Sequence, residues 1–178
     1  MLGEGAVVDT ARPTDGCTAL HVASQIGHAG VVEALLGKGA DEDKARSDGV
    51  TALFVASHNG RLDVVEALLG NEADVNKARI DGATALFVAT ENGHRGVVEA
   101  LLGKGADVDS ARTADECTVL YIASMQGHVG VVEALLGKGA DVDKARTVRG
   151  GVGTPLQAAT RKGHAAIVEM LTRHAAEN

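Results

Sequence analysis

The chain has 178 residues and a net charge of -7, with 45% hydrophobic and 23% charged residues, a globular rather than a disordered composition. Aromatics are 2% and tryptophan is absent, so a core must be built mainly from Val, Leu, Ile and Ala. The negative charge argues against wholesale binding to nucleic acid or anionic membrane, and no run of eighteen apolar residues offers a membrane span.

Residues 1–11 match the tail of a stretch that returns at 31–46 (VVEALLGKGADEDKAR), 64–79 (VVEALLGNEADVNKAR), 97–112 (VVEALLGKGADVDSAR) and 131–146 (VVEALLGKGADVDKAR). A chain that repeats one segment this closely is an array of one structural unit. The whole chain then reads as a single domain. It holds a partial leading unit (1–14) and five repeats (15–47, 48–80, 81–114, 115–150 and a cap-like 151–178), with the array expected to begin upstream of Met1.

In the first repeat, Leu20, Ala23 and Ile26 fall at helical spacing after Thr18, a candidate N-cap, and Gly27 supplies the left-handed residue of a C-terminus. Val31, Val32, Leu35 and Leu36 predict a second helix, stopped by Gly37 and Gly39. The segment to Arg46 predicts a hairpin leading to the next unit. Gly27, Gly60, Gly93, Gly127 and Gly163 mark the same point of each unit at spacings of 33, 33, 34 and 36. The extra residues fall at Thr113–Glu116 and Thr147–Gly153, so this loop is predicted to be an exposed tip.

A period near thirty-three that carries D-G-x-T-A-L-H-x-A, then G-H, then V-V-E-A-L-L-x-x-G-A-D, resembles the ankyrin repeat. The resemblance implies an all-α solenoid of stacked antiparallel helix pairs with projecting β-hairpin loops. It also implies a concave groove of hairpins and first helices that binds other proteins without catalysis or cofactor. Departures from the pattern are TALF at 51–54 and 84–87, TVLY at 118–121 and TPLQ at 154–157 in place of T-P-L-H. Phe54 and Phe87 cannot make the hydrogen bonds of the family's histidine, so apolar packing is expected there and the usual polar ladder between repeats is in doubt. Similarity to the family also makes Asn76 a candidate hydroxylation acceptor.

No nucleophile sits in a triad or elbow context, and the glycine-rich 150–153 segment lacks the Lys-Ser/Thr of a phosphate loop. His28, His94, His128 and His164 recur one per unit, too far apart to share a metal ion, and read as loop-packing residues. The carboxylate pairs Asp41/Asp43, Asp107/Asp109 and Asp141/Asp143 read as residues that bond their own turns. Cys17 and Cys117 lie three repeats apart, about 30 Å at one helical layer per repeat, so they are expected as free thiols. Together with the lack of a basic-then-hydrophobic leader, that places the chain in the cytoplasm or nucleus.

Partner contacts are expected where residues vary inside the fixed frame. On first helices these are Gln25, Ile26, His58, Asn59, Glu91, Asn92, Met125, Gln126 and Arg161; at the hairpins Ile80 stands out. Ile26, Ile80 and Met125 are the expected apolar anchors. Arg46, Arg79, Arg112 and Arg146, preceded by Arg12, form a ladder that reads either as ion pairs with Asp9, Asp43, Asp109 and Asp143 or as a basic rail for an acidic peptide. The function expected is protein binding through this groove by a monomer or a weak end-to-end assembly. Alternatives are a self-associating structural array or the targeting arm of a larger multidomain protein.

Overall fold

A computed structural model describes residues 7–144, 146–148 and 151–177, with the side chains of 146–148, 151, 152 and 177 left aside. Among these residues ten helices form five antiparallel pairs: α1 (Ala19–Ile26) with α2 (Ala29–Leu36), α3 (Ala52–His58) with α4 (Leu62–Gly70), and α5 (Ala85–Glu91) with α6 (Arg95–Gly103). The series continues with α7 (Val119–Gln126) and α8 (Val129–Leu136), then α9 (Pro155–Lys162) and α10 (Ala165–Glu177). First helices stack on first helices and second helices on second helices, which makes the solenoid. None of the described helices is long and apolar enough to cross a membrane.

From the second unit on, each first helix starts where a threonine accepts a hydrogen bond from an amide three residues on. Thr51 takes Phe54 N at 3.2 Å, Thr84 takes Phe87 N at 3.2 Å and Thr118 takes Tyr121 N at 3.1 Å. In the first unit this cap uses the histidine instead. The Thr18 hydroxyl lies 2.9 Å from His21 Nδ1, and His21 Nε2 donates to the Val50 carbonyl at 3.0 Å. Pro155 fits the first turn of α9, where its missing N–H costs nothing.

Short hairpins link the units. β1 (Ala111–Arg112) pairs antiparallel with β2 (Cys117–Thr118), and β3 (Arg146–Val148) with β4 (Gly151–Gly153), so both lengthened loops are β-ladders. The core runs the length of the stack, with Leu53, Leu68, Leu86, Phe87, Leu101, Leu120 and Leu135 among its largest fully buried side chains. Hydroxyls line the same interior: Ser24, Ser57, Thr90 and Ser124 are buried at one position of successive first helices.

Two polar ladders cross the repeats at positions other than the fourth residue of T-x-L-x, where Phe54 and Phe87 stand. At the helix turn, His94 Nε2 donates to the His58 carbonyl (3.1 Å), His128 Nε2 to that of Glu91 (3.0 Å) and His164 Nε2 to that of Met125 (3.2 Å). Arg61 plays this part in the second unit through Nε to the Gln25 carbonyl at 3.3 Å. At the hairpin, the first acid of each pair closes its own turn, as Asp41 does with Asp43 N at 2.9 Å. The second reaches across: Asp43 accepts from Asp74 N, Asn76 Oδ1 from Asp107 N and Asp109 from Asp141 N. The acids thus satisfy backbone donors of two units, not only their own.

Candidate functional site

One groove opens on the hairpin side of α1, α3 and α5, with a cavity of about 390 Å³. Its wall is the arginine ladder, its floor the side chains of the first helices. The local reason is the sequence R-x-D-G-x-T: the aspartate accepts from the amide two residues on, as Asp81 does with Ala83 N at 3.1 Å, and a glycine at positive φ turns the chain. That turn presents the arginine and the aspartate side by side. Arg79 Nε donates to Asp81 Oδ1 at 2.9 Å with Nη2 on Oδ2, and Arg112 pairs likewise with Asp115 at 3.0 and 2.7 Å from a turn one residue longer, where Glu116 takes the positive φ.

The arginines are therefore ion-paired, but with Asp15, Asp48, Asp81 and Asp115, which follow them, not with Asp9, Asp43 and Asp109. The reason is the tight turn, which puts an acid two or three residues after the arginine within reach and aims the earlier acid at the next unit's backbone. The pairing holds the Asp81 carboxyl well down, at about 2, chiefly through the hydrogen bond from Arg79, against the opposing effect of burial. Two of the guanidinium groups also lie on aromatic rings: Arg79 is 5.5 Å from the centre of Phe54 and Arg112 is 4.8 Å from that of Phe87. The phenylalanines that replace the family's histidine are thus buried and roofed by arginine.

Of the expected contact residues, the groove brings together Gln25, His58, Asn59, Glu91, Arg46, Arg79 and Arg112. It does not take in Ile26, Ile80, Asn92, Met125, Gln126 or Arg161. Met125 corrects the expectation of an exposed anchor: it is half-buried and packs against the core. Ile80 is exposed at a hairpin tip, where its amide bonds to the Asp48 carbonyl, and Ile26 is exposed at the end of α1. Asn92 sits beside the groove with Nδ2 3.4 Å from His58 Nδ1, and Arg161 Nη2 donates to the Tyr121 hydroxyl at 3.1 Å. The Arg146 side chain falls outside the described residues. Asn76 is tied by both ends of its amide, Oδ1 to Asp107 N and Nδ2 to the Gly105 carbonyl at 3.4 Å.

Sequence reasoning missed Asp48, Phe54, Val55, Phe87 and Val88 as groove residues, because apolar side chains inside a frame read as core. The R-x-D-G spacing at 46–49 and 79–82 was the signal that could have found the aspartates. Among the described residues, no three His, Cys, Asp or Glu side chains are grouped to hold a metal ion.

No curated protein matches the chain. A family model described as Ankyrin repeats (3 copies) matches residues 1–79, 76–146 and 110–178, so that the matches together run the length of the sequence. With the stacked pairs, the threonine caps and the projecting hairpins in place, the chain belongs to the ankyrin-repeat family.

Proposed function

We propose that the chain is a protein-binding module that holds an extended segment of a partner in the groove along α1, α3 and α5. Ankyrin repeats are generally protein–protein interaction modules. The observation that carries the reading here is the groove itself. Three arginine-bearing hairpins and three first helices converge on one cavity, and the residues that differ between units, Gln25, His58 and Glu91, sit at one register along it. The frame is fixed and the lining is variable, as recognition of one sequence among many requires. None of these groups forms a nucleophile–base arrangement, and the reading involves no catalytic step.

The test is a photo-reactive side chain placed at Gln25, at His58 and, as a control, at the exposed Glu66 of α4, followed by crosslinking in source-cell lysate. Adducts to one protein at Gln25 and His58, with none at Glu66, are expected. Equal adducts at all three positions, or adducts at Glu66 alone, would sink the reading.

A second reading, self-association, is favoured by one observation. Val22 and Val31 are 46% and 50% exposed on α1 and α2, whereas at the same register Val88, Ile122, Val64, Val97 and Val131 are at most 4% exposed. The far end differs, since Gln157, Thr160 and Thr172 are exposed polar residues where earlier units bury Phe, Ser or Leu. The two ends are unlike, so this reading gives a closed dimer of first-unit faces rather than a growing array. Sedimentation over a range of concentrations tests it: a monomer–dimer equilibrium abolished by Val31→Glu supports it, and a monomer at every concentration removes it.

A further inference from the structure

The arginine ladder is chemically uneven, and the unevenness has a direction. Arg79 and Arg112 each make two parallel hydrogen bonds to one carboxylate, and each covers a phenyl ring. Their best donor edge is already occupied. Arg46 is different: Nη2 meets Asp48 Oδ2 at 3.1 Å, and Nε is buried with no acceptor among the described residues. No phenyl ring lies at the matching position, which is His21, a residue whose two nitrogens are taken by Thr18 and the Val50 carbonyl. Arg46 lines the cavity with one bond to its aspartate where Arg79 and Arg112 have two, so its guanidinium keeps donors for an acceptor, and a carboxylate is the acceptor whose charge and geometry suit it.

The other end carries an excess of acid. Arg112 has its Nε and Nη2 on Asp115, and Glu91 stands 4.0 Å from its Nη1. One cation there faces two carboxylates, so the Glu91 end of the groove is short of positive charge. Between the two ends Val55 and Val88, next to the ring-roofed Phe54 and Phe87, give the lining an apolar part beside the polar His58 and Asn59.

We propose that the groove selects an extended peptide carrying an acidic residue for Arg46 and a basic residue for Glu91, with apolar side chains between them. This rests on the groove being the binding site. Arg46 belongs to the hairpin after the first unit and Glu91 to the helix of the third, two layers of about 8–10 Å each. At about 3.3 Å per residue of extended chain, acid and base lie about five or six residues apart. The selectivity follows from charge complementarity, since a reversed peptide would set like charges together at both ends.

The experiment is selection of a random twelve-residue peptide library displayed on phage against the full chain. It is repeated on Arg46→Glu, on the milder Arg46→Gln should the first variant misfold, on Glu91→Lys and on Val55→Lys, which blocks the floor. Circular dichroism establishes that each is folded. Enriched peptides are expected to carry Asp or Glu five or six residues from Lys or Arg, and to bind Arg46→Gln at least tenfold more weakly. Selection on Arg46→Glu should replace the acid with a base. Peptides that Val55→Lys blocks but that show no such spacing, or that lose less than twofold on Arg46→Gln, would overturn the charge pattern and leave the groove standing. Peptides indifferent to Val55→Lys, or no enrichment over an unrelated protein, would overturn both.

Discussion

At the scale of single residues, the repeats act as each other's controls. Gly39, Gly105 and Gly139 take a positive φ of 81–85° at the loop after the second helix, with open space where a Cβ would go, and Glu72 sits at the same position with φ of 68°. A residue with a Cβ costs about 1–2 kcal/mol there, part of which glycine's freer unfolded chain returns. Glu72→Gly should therefore stabilise the protein by about 0.5–1 kcal/mol, read from urea midpoints at unchanged slope. An unchanged or lower midpoint would refute this. His21 gives a pH-dependent case. Burial, its main cause, lowers the His21 pKa from its ordinary value of 6.5, against the contrary pull of the bond to Val50. The folded state thus favours the neutral ring, and that stability is complete above the ordinary value and lost as pH falls from about 6.5 through the lowered value. His21→Phe, the residue that the second and third units already use, should flatten stability between pH 7 and 5. The Val50 carbonyl keeps its bond from Arg46 N at 2.9 Å, so the variant should fold. An equally steep profile in the variant would place the titration elsewhere.

At the scale of elements, the G-H pair is where neighbouring units interlock. A Cβ added to Gly127 (φ 83°) would stand 2.7 Å from the His164 ring of the next unit, while one added to Gly163 (φ 77°) would meet nothing within 4 Å. Both substitutions by alanine carry the left-handed penalty of about 1–2 kcal/mol. Only Gly127→Ala must also push a histidine off its hydrogen bond to Met125 O, worth about another 1 kcal/mol. The prediction is a larger loss for Gly127→Ala than for Gly163→Ala, by about 1 kcal/mol in thermal or urea unfolding, and His164→Ala should erase the difference. Equal losses would mean that the histidine shifts freely. The same pair shows what the sequence could reveal. Helices, caps and period were legible because they are local: Thr18, Gly27 and the V-V-E-A-L-L stripe each act within one turn. The interlock was not, because it joins residues some 37 apart, and neither Gly127 nor His164 announces its partner. The groove was half legible for a like reason. Its rim residues vary and so stood out, while Phe54 and Phe87 are buried and looked like core until the arginines were found lying on them.

At the scale of the whole molecule, the described stack is a row of similar units in which the inner helix pairs pack on two neighbouring pairs, while α1–α2 and α9–α10 pack on one pair each. In such a row stability is close to a sum of unit and interface terms, so the ends should open before the middle. The first unit has the added cost of Val22 and Val31 in water, while the last has replaced buried residues by Gln157, Thr160 and Thr172. The middle holds Phe87, Leu86 and Leu101, all fully buried, and is tied to both neighbours by histidine bonds, His94 donating to the His58 carbonyl and the Glu91 carbonyl accepting from His128. Hydrogen exchange should therefore show amides of α5 and α6 as the slowest, with α1, α2, α9 and α10 opening at lower free energy. The two ends should also respond differently to a partner in the groove. The cavity spans α1, α3 and α5 and leaves α9 untouched, so a bound peptide should slow exchange in α1 through α5 while α9 and α10 keep their free rates. Uniform protection along the chain would mean that the units open together, and slowing confined to α9 and α10 would move the contact to the other end of the stack.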